Sequence, residues 1–290
     1  MRLAISNIAW DAADDAAVAT LLQRYRVDAI DVAPAKYFPA NAPTDPADAE
    51  RVRLWWRERG IEITGIQALL FGTSGLNLFA APAVQAAMLA HLDGVCALGS
   101  RLGAPRLVFG SPRNRDRTGL SNDEADAIAV SFFRRLGDIA LAHGVVICLE
   151  PNPERYGCNF MTTTADAARI VDRVAHAAIR LQLDTGALAI SGEAAGPAIE
   201  RYRAIIGHVH ASEPGLVTLG DDSAPHAEVA RALQTHLPGH VVSIEMLAST
   251  TQPTLAAIQR ALHVAIRCYR PKMPAIEREA RSIDSIKGHT

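Results

Sequence analysis

The chain has 290 residues, 49% of them hydrophobic and 21% charged, with a formal net charge of −2. That is too apolar for a disordered chain and long enough for one large α/β barrel or two ordinary domains. The near-neutral balance argues against a nucleic-acid partner and against a membrane partner, and there is no apolar run of the ~18 residues needed to span a bilayer.

Strand and helix signals alternate from the start. Arg2–Ile8 reads as a strand with no basic-then-apolar leader before it, and Asp14–Arg24 as a helix rich in Ala and Leu. Val27–Val32 is the second strand. Pro46–Arg59 is the second helix, with Pro in its first turn and Gly60 after its end. Ile61–Leu69 is a strand, Pro82–Leu102 a long helix closed by Gly103, and Arg106–Phe109 the fourth strand. Asp123–Ala142 is its helix, capped by Ser121 or Asn122. Within His143–Asn152 an unbroken apolar run, typical of a parallel strand buried on both faces, delivers Glu150, and Pro151 then ends the ladder. The pattern recurs: Ile179–Leu183 ends in Asp184, Ile205–Val209 in His210, and Val241–Ile244 in Glu245. Helices fall at Thr164–Val174, Glu193–Ala204, His226–Leu237 and Gln252–Tyr269.

Strict strand–helix alternation argues for parallel strands with right-handed crossovers, and the length and count for a single-domain (β/α)8 TIM barrel over residues 1–269. The alternative, an open doubly wound sheet, lacks its glycine fingerprint, since Ser6-Asn7-Ile8-Ala9-Trp10 contains no glycine. Residues 270–290 change to mixed charge and read as a tail outside the fold. Cys96, Cys148, Cys158 and Cys268 form no CxxC motif, and Cys148 sits within a strand. Reduced thiols and a cytoplasmic protein are expected.

Barrel enzymes carry their catalytic groups at the carboxyl ends of strands. One acid there commonly caps the following helix. Glu150, Asp184, His210 and Glu245, on four successive strands, are harder to read as caps. Converging carboxylates repel one another unless a cation neutralises them, so a divalent metal is expected. Three oxygen donors and one imidazole favour manganese, with magnesium, cobalt or zinc also compatible.

Leu149-Glu150-Pro151, Leu183-Asp184-Thr185-Gly186, His208-Val209-His210-Ala211-Ser212 and Ser243-Ile244-Glu245 resemble the xylose isomerase-like TIM barrels. That family includes ketose 3-epimerases, hydroxypyruvate isomerases, inosose dehydratases and endonuclease IV. The resemblance covers about residues 1–269 and implies a metal-dependent sugar or sugar-phosphate isomerase or epimerase. In it the four residues would bind one ion, and Glu150 and Glu245 would exchange the substrate proton. A metal-dependent dehydratase of a keto-sugar or inosose, and a non-catalytic sugar-binding barrel, stay open. Endonuclease IV needs a zinc cluster fed by many more histidines, and only His208 and His226 stand near. Ketose 3-epimerases also carry a histidine, an arginine and a glutamate where this chain has Ala187, Leu216 and Tyr156. The resemblance therefore does not extend to their substrate.

Other polar residues are expected on the same face. Lys36 and Tyr37 follow strand two, Gln67 ends strand three, and Arg113-Asn114-Arg115 follows strand four. Asn152, Tyr156 and Asn159 follow strand five, and Glu213 follows strand seven. Of these Lys36, Gln67, Arg113, Asn152, Tyr156 and Glu213 are the candidate contacts to a carbohydrate substrate. The arginine loop reads either as solvated surface or as an anion clamp. His208 shares the face of His210 and reads as buried packing, while His226 begins a helix. Trp55-Trp56 reads as a packing or subunit contact, which leaves a homo-oligomer open.

Overall fold

A computed structural model describes residues 1–38 and 45–270; the segment 39–44 and the expected tail 271–290 lie outside the described residues. The eight strands are β1 (Arg2–Ser6), β2 (Ala29–Val32), β3 (Glu62–Ile66), β4 (Arg106–Phe109), β5 (Val146–Leu149), β6 (Ile179–Asp184), β7 (Ile206–Ser212) and β8 (Val241–Glu245). They pair in sequence order into a closed barrel, with β8 returning to β1 in parallel register. Right-handed crossovers impose this order once each strand is followed by a helix.

Helices α1 (Asp15–Arg24), α2 (Pro46–Arg57), α3 (Pro82–Leu102), α4 (Asn122–Ala142) and α5 (Thr164–Val174) follow the first five strands. Ser121 caps α4 in a reciprocal capping box with Glu124, and Gly103 stops α3 in the left-handed conformation. After β6 the chain makes two short helices, α6 (Thr185–Ser191) and α7 (Ala195–Tyr202), where a single one over 193–204 was expected. The extra turn forms because Asp184 caps it, its Oδ1 accepting the Ala187 N–H at 2.6 Å, and Gly192 ends it at positive φ. Helices α8 (His226–His236) and α9 (Thr254–Tyr269) complete the ring. Two strands are shorter than expected. After Ser6 the chain enters a tight turn over Asn7–Ala9, and β3 stops at Ile66 because Ala68 lies at φ 56°.

The helices pack on the outer face of the barrel through buried apolar side chains such as Leu22, Leu92, Phe132, Ile170 and Leu262. Each contributes about 1.5–3 kcal/mol of burial. Trp56 is part of this layer, edge-on to Trp10, as a packing residue should be.

The interior of the barrel differs, because polar side chains enter it. Asp31, Gln182, His208, His210 and Ser243 are all buried there. The β2–β3 register slips by one residue between Ile30 and Asp31, placing Asp31 opposite Gly65. A Cβ on Gly65 would lie 2.6 Å from Asp31 Oδ1, so the missing side chain makes the room the acid occupies.

Candidate metal centre and its cavity

Four strands bring the four expected residues together. Glu150 follows β5, Asp184 ends β6, His210 lies in β7 and Glu245 ends β8. Strand register sets Asp184 beside His210 and Glu245 beside Ser212. One donor atom from each of Glu150, Asp184, His210 and Glu245 lies within 4.8 Å of all the others. His210 Nδ1 is 3.1 Å from Glu245 Oε2 and 3.6 Å from Glu150 Oε1, yet makes no hydrogen bond. Donors bonded to one cation at about 2.0–2.3 Å stand about 3.0–3.5 Å from each other. The donor set and its spacing fit one divalent ion.

Each of the three carboxylates is held by a hydrogen-bond donor. Asn152 donates to Glu150 Oε2 at 3.1 Å, and Gln67 donates to Glu245 Oε1 at 2.7 Å. Ser212 donates its hydroxyl proton to Asp184 Oδ2 at 2.7 Å and receives the Gly186 N–H at 3.0 Å. A Cβ at Gly110, just past β4, would collide with the Glu150 carboxylate. Arg115 is buried and donates from Nη1 to the Glu150 carbonyl at 2.7 Å.

Asp31 lies beneath the cluster. Its Oδ2 is 2.7 Å from His208 Nε2 and 3.6 Å from His210 Nε2, while Thr64 donates to Oδ1 at 3.0 Å. The Asp31 charge lies on the Nε2 side of His210 without a hydrogen bond to it, and Nδ1 faces Glu245 and Glu150. Sequence reasoning missed Asp31, although the signal was present: an acid inside the apolar strand Ala29-Ile30-Asp31-Val32 has to be paired. His208 is the buried neighbour it was expected to be, with Asp31 as its partner. Ser212 and Gly110 carried no sequence signal of their own.

The electrostatics follow from crowding three acids in a buried site. Burial, with Glu245 and Glu150 adding to it, pushes the Asp184 carboxyl up to about 7. Burial acts the same way on Glu245, but His210 and Gln67 outweigh it and hold that carboxyl below the usual range. Burial opposes charge on His210, yet Glu245, Asp31 and Glu150 prevail and hold its imidazolium well above the ordinary value. The ion-free cluster thus keeps protons on Asp184 and His210, and a cation would take over their neutralising role.

The cluster opens into a cavity of about 340 Å³. Of the other residues expected here, Asn152, Tyr156 and Glu213 line it. Glu213 is already engaged, since it accepts the N–H groups of Gly220 and Ala224 at 2.8 and 2.9 Å and His226 Nε2 at 3.0 Å. It therefore pins the loop between β7 and α8. Lys36 pairs with Asp11 at 2.8 Å and does not line the cavity. Arg113 is exposed and makes no hydrogen bond among the described residues, while Arg115 faces the protein interior. Tyr37 donates to Asp15, and Asn159 braces the Arg117 loop, both away from the cluster.

The chain is thus a closed parallel (β/α)8 barrel with a candidate metal centre of three carboxylates and one histidine at its carboxyl rim. Residues 20–268 match the model of the xylose isomerase-like TIM barrel, and the chain belongs to that family. No curated protein matches it in sequence. Solved structures with this fold include a D-psicose 3-epimerase determined with D-fructose, at 20% identity and TM-score 0.78, covering 93% of this chain and 100% of that one. A second is the 3-keto-D-glucoside 4-epimerase YcjR from E. coli, at 17% identity and TM-score 0.76, covering 92% and 100%. The IOLI protein with a bound zinc atom is a third, at 17% identity and TM-score 0.73, covering 93% and 98%. At these identities the likeness is one of fold.

Proposed function

We propose that this protein is a divalent-metal-dependent isomerase or epimerase of a sugar-like α-hydroxy-ketone, acting by proton transfer. The observation that carries the reading is that two glutamates, from strands on either flank of β7, both stand against His210 Nδ1. Glu245 reaches it from β8 and Glu150 from β5, each oriented by an amide donor. The epimerases named among the solved structures of the same fold support it.

Glu150, Asp184, His210 and Glu245 would hold the ion, and manganese suits their three oxygens and one nitrogen. Bound there, the ion would polarise the substrate carbonyl and lower the cost of an enediolate. Asp184, fixed by Ser212 and the Ala187 N–H, acts as a ligand alone. One glutamate removes the proton on the carbon beside the carbonyl, and the other returns a proton to the opposite face. Asn152 and Gln67 keep each carboxylate aimed at the reacting carbon. Arrival from two sides favours inversion of that carbon over transfer along one face.

Turnover in D₂O should place solvent deuterium at the reacting carbon. Glu150→Gln and Glu245→Gln should each lower turnover by about 10²–10⁴. Normal turnover in either variant would reduce that glutamate to a ligand and end the two-base reading.

A further inference from the structure

Beyond the candidate metal cluster, the lining of the cavity is mainly apolar. Pro112, Pro153, Ala187, Leu216 and Leu247 form it, with Tyr156 at its edge. No lysine, arginine or histidine lines the cavity among the described residues. Most polar groups of its side chains are already engaged, although the Tyr156 hydroxyl keeps its own proton to donate at the cavity's edge. Asn152 donates to Glu150 and to the Pro151 carbonyl, and Glu213 holds the loop after β7. The Tyr156 hydroxyl accepts the Gly215 N–H at 2.7 Å.

Leu216 is held in place by its backbone. It lies at φ 54°, directly after Gly215 at φ 73°, a left-handed pair that a leucine rarely joins. Its N–H donates to Glu213 O and its carbonyl accepts from Leu247 N, both at 2.9 Å. The strained turn therefore fixes Leu216 and ties it to Leu247 on the same wall.

A hydroxyl buried against these prolines and leucines would lose water and gain no partner from them. A phosphate would meet Glu150, Asp184, Glu213 and Glu245, with no cationic side chain lining the cavity among the described residues. We propose that the substrate is an uncharged hydroxy-ketone of the deoxy-sugar class, whose carbons beyond the reacting pair carry hydrocarbon in place of hydroxyl or phosphate. This rests on the metal-dependent hydroxy-ketone reading above and specifies its substrate.

The test uses the manganese-loaded protein and three ligands with the same reacting carbons: a 2-ketohexose, its 6-deoxy counterpart and its 6-phosphate. Calorimetry reads binding, and solvent-deuterium incorporation reads chemistry. The deoxy ligand should bind and exchange about 10–100-fold better than the ketohexose, with the phosphate weakest. Leu216→Arg should abolish that preference and favour the phosphate. Leu247→Arg, at a more exposed position on the same wall, should do the same where the first variant folds poorly. Equal or better performance by the ketohexose or the phosphate overturns the inference, as does no binding by any of the three. A binding preference without exchange sustains it and overturns the isomerase reading. Exchange without preference does the reverse.

Discussion

The two halves of the barrel contribute differently to one site. Strands β5 to β8 and their ends supply all four ligands, each from the carboxyl rim. The half from β1 to β4 supplies none of those four. It provides Asp31 under His210, Gln67 against Glu245, the bare backbone of Gly110 beside Glu150, and Arg115 on the Glu150 carbonyl. The second half holds the candidate ligands together with two of their supports, Asn152 and Ser212, and the first half adds the rest of the support. Losing a ligand should therefore abolish metal binding, whereas losing a support should weaken it in proportion to the contact removed.

The largest effect belongs to the ligand half. Asp184→Ala should lose the ion and nearly all activity while the barrel stays folded, as read by metal analysis alongside circular dichroism. The fold survives because the change removes a buried acid whose charge its neighbours already oppose. Full metal occupancy in that variant would remove the central claim.

The supporting half should answer more weakly. Asp31→Asn keeps the size of the side chain but withdraws the charge that faces His208 and His210. Metal affinity should fall by about 10–100-fold, as is typical when the carboxylate behind a ligating histidine is lost. Unchanged affinity in a titration would make Asp31 a partner of His208 alone.

Acidity links the halves, since ion and protons compete for the same atoms. Asp184 is raised to about 7 and His210 well above its usual value, so these two groups hold more protons in the folded, ion-free protein than in the unfolded chain, while Glu245 and Asp31, held low, hold fewer. The stability contributed by Asp184 and His210 should thus be fully present below the unfolded carboxylate range, where Glu245 and Asp31 lose theirs. It should decline as pH rises from the unfolded carboxylate range toward 7 for Asp184, and further as His210 loses its proton. Metal affinity should move oppositely, rising about tenfold per pH unit for each proton displaced. Calorimetry in buffers of different ionisation enthalpy would count those protons, and a flat affinity between pH 6 and 8 would contradict the arrangement.

The same division explains what could be read from the chain. Glu150, Asp184, His210 and Glu245 stand where an apolar run ends, so periodicity alone exposes them. The alternation that gave the barrel is equally periodic, and α3 ends where its glycine signal places it. The supports lack such a signature. Gly110 matters through an absent Cβ, and Ser212 through a neighbouring strand. The arginine loop shows the limit most plainly. Arg113 and Arg115 are indistinguishable in Arg113-Asn114-Arg115, but a tight turn over Pro112–Arg115 sends one outward and the other into the protein.

That turn sets the smallest expected effect. Had Arg113 clamped a phosphate, Arg113→Ala would cost about 1.5–3 kcal/mol of binding to a phosphorylated ligand and spare its unphosphorylated analogue. In the structure its side chain is exposed and lines no part of the cavity, so removing it should shift stability by no more than about 0.5 kcal/mol. It should also leave the ratio of kcat/KM between the two ligands unchanged. Arg115→Ala is the contrast. Its guanidinium is wholly buried, and burial pulls its pKa down against the opposing pull of Cys158 and Glu150. Truncation there leaves the Glu150 carbonyl without its charged donor and opens a void behind a ligand. The protein should therefore lose both melting temperature and metal affinity. A selective loss of phosphorylated ligand in Arg113→Ala would show that the exposed arginine folds back over the rim, and would place an anion site in the half assigned here to support.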